Sequence, residues 1–378
     1  MKYRRFGRLD WQVSALGFGA MRLPVTGNDR SKIDEPEALR MIHYAFDHGV
    51  NYIDTAWPYH NGNSESLVGR ALKNGYRQKV KLATKLPARR VETADDFDRF
   101  LNTQLSRLQT DHIDFYLLHG LTRASWSKVR DLDVFARAER AINDGRIGCL
   151  GFSFHDGYEV FKEIIDGYDR WTLCQIQYNY MDTDYQAGTK GLRYAAEKGL
   201  AVVVMEPIRG GQLSSHPPEA VVKLWQSAPE RRSPAEWALQ WVWNHPEVST
   251  VLSGMSAMEH VVENVAAADR SGPHVLARDE LARIDRVKGE YRKGSLIPCT
   301  NCRYCLPCPN NVDIPGILQL YNDALIFSDL SRARHLYPIR IQEDERAGQC
   351  TQCRQCEALC PQGIAISEWL EKARELVE

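Results

Sequence analysis

Residues 113–153 read IDFYLLHGLTRASWSKVRDLDVFARAERAINDGRIGCLGFS. The stretch opens on a short apolar run, Ile113–His119, and closes on another, Ile147–Ser153. Between them, over Val129–Asp144, apolar residues recur every three or four positions, the period of an amphipathic helix. A strand, a helix and a second strand make a βαβ unit, and strands joined that way run parallel. Working outward in both directions, the alternation repeats. Strands are expected at Leu16–Met21, Asn51–Thr55, Val80–Lys85, Cys174–Tyr178, Ala201–Glu206 and Thr250–Ser253. Helices are expected at Pro36–His48, Ser64–Asn74, Thr93–Leu108, Gly157–Asp166, Ala187–Lys198, Pro234–Asn244 and Met258–Ala268. Eight βα units are the number that closes a (β/α)8 TIM barrel. An open doubly wound sheet competes less well, because no G-x-G-x-x-G opens a helix after the first strand. Ahead of that strand, Tyr3–Phe6 and Gln12–Ala15 flank Gly-Arg-Leu-Asp and read as a hairpin placed to close the bottom of the barrel.

The chain has 378 residues, which suits one large α/β barrel with an appendage. The reading divides it at 1–288 and 289–378. Hydrophobic residues at 43% and charged residues at 26% are ordinary for a folded protein. With 48 basic against 49 acidic residues, nothing points to nucleic acid or an anionic membrane surface. The longest near-apolar run, Gly199–Met205, is far short of a membrane span. The N-terminus, with Lys2, Arg4, Arg5 and Arg8, has no apolar segment after its charges, so no secretory signal is expected. The expected location is the cytoplasm.

Of ten cysteines, only Cys149 and Cys174 precede residue 299. The others form two motifs, Cys299-Thr-Asn-Cys302-Arg-Tyr-Cys305-Leu-Pro-Cys308-Pro309 and Cys350-Thr-Gln-Cys353-Arg-Gln-Cys356-Glu-Ala-Leu-Cys360-Pro361. The second has the C-x2-C-x2-C-x3-C-P spacing of a bacterial ferredoxin. Three thiolates on one tight loop cap three corners of a cubane, and the fourth, ahead of proline, reaches the other cluster. Two [4Fe-4S] clusters are therefore expected, one on Cys299, Cys302, Cys305 and Cys360, the other on Cys350, Cys353, Cys356 and Cys308. The first motif has one residue fewer before its last cysteine. Zinc also uses paired C-x2-C, but runs of four cysteines ending in Cys-Pro suit cubanes better. The 41 residues between Cys308 and Cys350, with a helical pattern over Ile314–Ile341, suggest a mainly helical ferredoxin-like domain. Arg292–Pro298 reads as the linker to it. Cys149 and Cys174 read as buried small hydrophobes.

In such a barrel the C-terminal ends of the strands build the active site. Asp54, Lys85, His119 and Ser153 occupy those positions, and Tyr59 follows in the loop beyond Asp54. A tyrosine is a weak acid at neutral pH, with a pKa of about 10. A neighbouring Lys⁺ favours the phenolate, and a carboxylate orients the lysine. A histidine can polarise a carbonyl oxygen. Together they suggest proton transfer to a carbonyl.

The motifs resemble the aldo-keto reductase family. Asn51-Tyr-Ile-Asp54-Thr-Ala-Trp-Pro-Tyr59, followed by Asn63-Ser-Glu-Ser-Leu-Val-Gly69, is similar to the family signature. Leu82-Ala-Thr-Lys85 and Asp114-Phe-Tyr-Leu-Leu-His119 are similar to its lysine and histidine strands. Gly17-Phe-Gly-Ala-Met-Arg22 resembles its first strand, and Gly254-Met-Ser256 with Glu263-Asn264 its last. The resemblance spans roughly residues 1–285. It implies that Tyr59 is the general acid, tuned by Asp54 and Lys85, that His119 orients the carbonyl, and that NADP(H) or NAD(H) supplies the hydride. It further implies cofactor contacts at Gly19, Ala20, Met21, Ser153, Gln175, Met205, Gly254, Met255, Ser256, His260 and Asn264. Gly254 and His260 stand where relatives place a lysine and an arginine on the extra phosphate of NADPH, which leaves NADPH and NADH both open. Arg209 is a candidate to take that phosphate instead.

Three functions follow. The first is reduction of a small carbonyl compound or oxidation of the alcohol. The second is electron transfer, in which the clusters exchange electrons with a ferredoxin-like partner. The third is a non-catalytic redox or nucleotide sensor, which the complete set of four catalytic residues disfavours. Trp57, Phe154, His155, Trp126 and Tyr180 are candidates to line the substrate pocket.

Overall fold

The computed structural model describes residues 1–27, 29–215, 217–294, 296–299, 304–360 and 362–378. Cys302 lies outside the described residues. The chain forms two compact units. One takes residues 1–213 and 232–278, the other 214–231 and 279–378.

The first unit opens on the expected hairpin, β1 (Tyr3–Arg5) paired antiparallel with β2 (Gln12–Ser14). Eight strands follow: β3 (Leu16–Gly19), β4 (Tyr52–Asp54), β5 (Lys81–Leu86), β6 (Ile113–Leu121), β7 (Ile147–Phe154), β8 (Leu173–Gln177), β9 (Ala201–Met205) and β10 (Val248–Ser253). They pair in sequence, all parallel, and β10 closes on β3 to complete the barrel. Helices cover the outside, so both faces of every strand are buried, and runs such as Ala201-Val-Val-Val-Met205 are apolar throughout.

The hairpin plugs the barrel floor. Phe6 is fully buried, with its ring centroid 4.7 Å from that of Phe115 and 5.9 Å from that of Tyr52. Gly7 makes this approach possible. Its φ is +56°, and a Cβ there would lie 2.4 Å from the Ala201 nitrogen.

Local capping fixes where the barrel helices begin. Asp34 accepts from the Glu37 N–H ahead of helix Glu35–Asp47, and Ser233 accepts from the Glu236 N–H ahead of Pro234–Trp243. Each helix carries proline in its first turn, where no N–H is needed.

Two expected helices are each split. The Val129–Asp144 pattern falls across helices Arg123–Asp131 and Val134–Asn143. Asp133, left-handed at φ 54°, breaks the run between them. Ile314–Ile341 likewise becomes Ile314–Ile326 and Leu330–Arg340, with Ser328 left-handed at the break. The expected linker, Arg292–Pro298, begins within helix Arg278–Lys293.

The second unit is helical. Helices Ile314–Ile326, Leu330–Arg340 and Ile366–Val377 enclose Ile317, Leu318, Leu320, Tyr337, Leu370 and Ala373. Cys299, Cys305, Cys308, Cys350, Cys356 and Cys360 pack against that core. Among the described residues, no helix is long and apolar enough to cross a membrane.

Candidate active site

Alternation along β5 sends Thr84 outward and Lys85 into the barrel. Lys85 is 1% exposed. Its Nζ donates to Asp54 Oδ1 at 2.6 Å and to the Thr55 carbonyl at 2.8 Å, and lies 3.4 Å from the Tyr59 hydroxyl. All three ammonium protons are thus directed. Gly19 and Ala83 flank Asp54 in register on β3 and β5, which fixes the carboxylate at the strand end. The Tyr59 and His119 rings meet edge to face, with centroids 6.0 Å apart. The four expected residues converge.

Burial, working against Lys85, raises the Tyr59 hydroxyl above its ordinary range. The sequence alone anticipated a net lowering by the lysine; the buried setting outweighs it. Lys85 itself is held up by Asp54 and Tyr59 against the downward pull of burial. Burial, Lys85, His155 and Arg89 together push His119 well below the usual histidine range. Near neutral pH the site therefore presents a protonated phenol, an ammonium and a neutral imidazole.

On the outward side of β5 lies a buried polar network. Glu65 Oε1 accepts from Thr84 Oγ1 at 2.8 Å and from Gln104 Nε2 at 2.5 Å. Gln104 also donates to the Lys85 carbonyl at 3.1 Å and accepts from the Tyr116 hydroxyl. Arg107 pairs with Glu65 at 3.1 Å and stacks 3.9 Å over the Trp57 ring. These residues support Lys85 and the Tyr59 loop from outside the barrel. Glu65 was visible within the signature, but a helical Gln104 or Arg107 looks like a solvated surface residue until the fold brings the partners together.

The expected cofactor positions line neighbouring strand ends. Ser153 pairs in register with Gln175, and its Oγ accepts from the Gly120 N–H at 2.8 Å. Gln175 Nε2 lies 3.8 Å from Met205 Sδ. Its Oε1 is buried, with no partner among the described residues. An amide left open in this way suits a ligand carboxamide. The Ala20 N–H donates to the Asp54 carbonyl, and a Cβ on Gly19 would lie 3.3 Å from the Ser253 carbonyl oxygen. Gly254 lies against the Arg22 side chain. Asn264 donates to Ser253 Oγ at 3.0 Å. Met21 and Ser256 are exposed, His260 is exposed on helix Met258–Asp269, and Met255 is buried.

Arg209 is corrected. It is buried and ion-paired with Asp182 at 2.8 Å, in a cluster with Gln177 and Asn179, so its charge is already matched by a carboxylate. Trp126 is also corrected. It is buried among Phe135 and Trp171, on helix Arg123–Asp131 outside the barrel wall. Phe154 is likewise fully buried, packed on Phe161 of helix Tyr158–Asp166.

In the second unit the tail of the first cysteine motif runs beside the head of the second. Asn310 donates to Thr351 Oγ1 at 2.9 Å, and the Asp313 N–H to the Glu345 carbonyl. Cys308 and Cys350 lie close enough to Cys356 to act on its thiol. The Gln352 N–H points at Cys350 Sγ, and left-handed backbone at Gln352 and Arg354 curls this loop. Among the described residues, no three His, Cys, Asp or Glu side chains form a group able to hold a metal ion. A cubane, whose ligands sit on separate irons, spreads its thiolates wider than one ion does.

A closed parallel barrel with a Tyr–Lys–Asp–His centre at its strand ends defines an oxidoreductase of the aldo/keto reductase class, and this chain belongs to that family. The aldo/keto reductase family model matches residues 15–288, and a 4Fe-4S dicluster domain matches residues 298–365. The uncharacterized oxidoreductase YrpG of Bacillus subtilis is 30% identical over 233 residues, covering 56% of this chain and 68% of that protein. L-galactose dehydrogenase of Arabidopsis thaliana is 27% identical over 316 residues, 76% of this chain and 94% of that protein. Among solved structures, the holo form of an aldo-keto reductase from Bacillus halodurans is 31% identical with a TM-score of 0.63, covering 76% of this chain and 96% of that one. An aldo-keto reductase from Klebsiella pneumoniae in complex with NADPH is 26% identical with a TM-score of 0.61, covering 76% and 95%.

Proposed function

We propose that the barrel reduces the carbonyl of a small molecule, or oxidises the corresponding alcohol, with Tyr59 as general acid and base. The observation that carries this reading is the Lys85 ammonium, buried and shared between Asp54 and the Tyr59 hydroxyl. A nicotinamide, as NADP(H) or NAD(H), would supply or accept the hydride when bound, and the open Gln175 amide, with Ser153 beside it, would hold its carboxamide. In reduction, Tyr59 releases its proton to the oxygen that gains negative charge, and Lys85 stabilises the phenolate left behind. Burial keeps the phenol protonated until the oxygen demands the proton. His119, held neutral, donates an N–H to the same oxygen without competing as an acid.

The test is Tyr59→Phe, assayed with 4-nitrobenzaldehyde and NADPH or NADH. Turnover is expected to fall by about 10²-fold or more, with nucleotide affinity retained. Undiminished turnover in that variant excludes Tyr59 as the acid.

For the second unit, Cys299, Cys302, Cys305 and Cys360 would hold one [4Fe-4S] cluster, and Cys350, Cys353, Cys356 and Cys308 the other. The juxtaposition of Cys308 with Cys350 and Cys356 supports the second set. The dicluster match also favours a second reading, in which the clusters exchange electrons with a ferredoxin-like partner. Anaerobic addition of NADPH, followed by visible absorption, separates the roles. Bleaching by NADPH supports electron exchange with the barrel. Bleaching by dithionite alone limits the clusters to structure or to an external partner.

A further inference from the structure

We propose that His60 is a positioning residue, clamping the Tyr59 turn to the loop after β3 and so holding the Tyr59 hydroxyl within reach of Lys85. The proposal rests on Tyr59 being the acid. Residues 59–62 form a single tight turn in which His60 (φ 52°, ψ 44°), Asn61 (φ 53°, ψ 31°) and Gly62 (φ 95°) are all left-handed. Two consecutive non-glycine residues in that region are uncommon, although histidine and asparagine enter it more readily than most, and such a run persists where the surroundings hold the conformation.

That hold comes from the His60 imidazole, which is 7% exposed. Its Nε2 faces the Leu23 N–H at 3.1 Å, and its Nδ1 faces the Arg30 carbonyl at 2.8 Å. A backbone N–H only donates and a carbonyl only accepts. Nε2 must therefore be the acceptor and Nδ1 the donor, which fixes a neutral ring in one tautomer. Asn63 adds a third bond from this turn to the same loop, donating to the Ser31 carbonyl at 2.9 Å. The loop is braced in turn, by a bridge between Val25 and Ile33 and by the Asp34 N–H on the Pro24 carbonyl.

What the clamp protects is a marginal contact. Lys85 Nζ to Tyr59 hydroxyl is 3.4 Å, at the long edge of hydrogen bonding, so a small drift of the turn separates them. Among the described residues His60 makes no bond to Lys85, Asp54 or His119, and acts through the backbone of the residue before it.

The test compares full-chain His60→Gly, His60→Asn and His60→Gln with wild type. Glycine suits the left-handed backbone, which offsets part of the cost of losing both imidazole bonds, so the variant is expected to fold with a modestly lower thermal midpoint. Its kcat with 4-nitrobenzaldehyde is expected to fall about tenfold, with the KM for nucleotide unchanged. Asparagine keeps a donor near the Nδ1 position and glutamine an acceptor near Nε2, and each should recover part of the loss. Amide exchange over residues 23–27 and 59–63 should quicken in His60→Gly and stay as in wild type in Tyr59→Phe. A glycine variant with kcat within about twofold of wild type, or with unaltered exchange in those segments, overturns the clamp. If wild type does not reduce the aldehyde, the reductase reading fails on that substrate, and the exchange measurement still decides the clamp.

Discussion

Lys85 and Asp54 form a buried ion pair whose partners are unequal in what their loss would do. Removing the lysine in Lys85→Met leaves the Asp54 carboxylate buried without its cation, a change that typically costs about 3–5 kcal/mol. Chemical denaturation at neutral pH is expected to show that loss, and the double variant Lys85→Met with Asp54→Leu to recover most of it. Burial already raises the Asp54 carboxyl, and Lys85 is the group that pulls it down. Without the lysine its folded pKa climbs further above the unfolded value. A group raised in that way is fully stabilising only below its unfolded pKa and loses its contribution as pH rises. The deficit of Lys85→Met should therefore shrink as pH falls, and a deficit constant with pH would contradict the assignment. Asp54, Lys85 and His119 were legible because strand-end positions can be counted from the sequence, and Tyr59 because it follows Asp54 within one motif. The Glu65–Gln104–Arg107 support and the Asp182–Arg209 pair were not, because such partners come from different elements and meet only in the folded barrel.

At the scale of elements, the strands were readable because parallel barrel strands are apolar on both faces and short. Helix breaks were less readable. Over Val129–Asp144 the periodicity continues across Leu132 and Asp133, and only the left-handed Asp133 shows that the chain turns there. The hairpin floor tolerates little change at Gly7. In Gly7→Ala, a left-handed backbone costs about 1–2 kcal/mol, and the new Cβ would also collide with the start of β9. Thermal unfolding should register a lowered midpoint, whereas Gly27→Ala, left-handed with nothing near its Cβ position, should show the backbone cost alone.

For the whole molecule, the division into a barrel and a cysteine-bearing unit was visible in the clustering of eight cysteines after residue 298. That residues 214–231 fold with the second unit was not, since local periodicity does not reveal which core a helix joins. There Arg283 secures helix Glu219–Gln226 through the Leu224 carbonyl and Ser227 Oγ. On the two-cluster reading, Cys353→Ser should lose roughly half the iron, measured per chain after anaerobic purification. Full iron content would undo that ligand assignment.

The end of the described chain bears on these cysteines through a relay of three groups. Glu378 accepts from the Tyr337 hydroxyl at 2.6 Å, that hydroxyl accepts from the Ala347 N–H at 2.8 Å, and the Ala347 carbonyl holds the Cys350 N–H at 3.0 Å. Glu378→Ala would remove the acceptor of this relay and loosen the turn that presents Cys350. On the two-cluster reading, the brown colour of a preparation of that variant would then be paler than that of wild type.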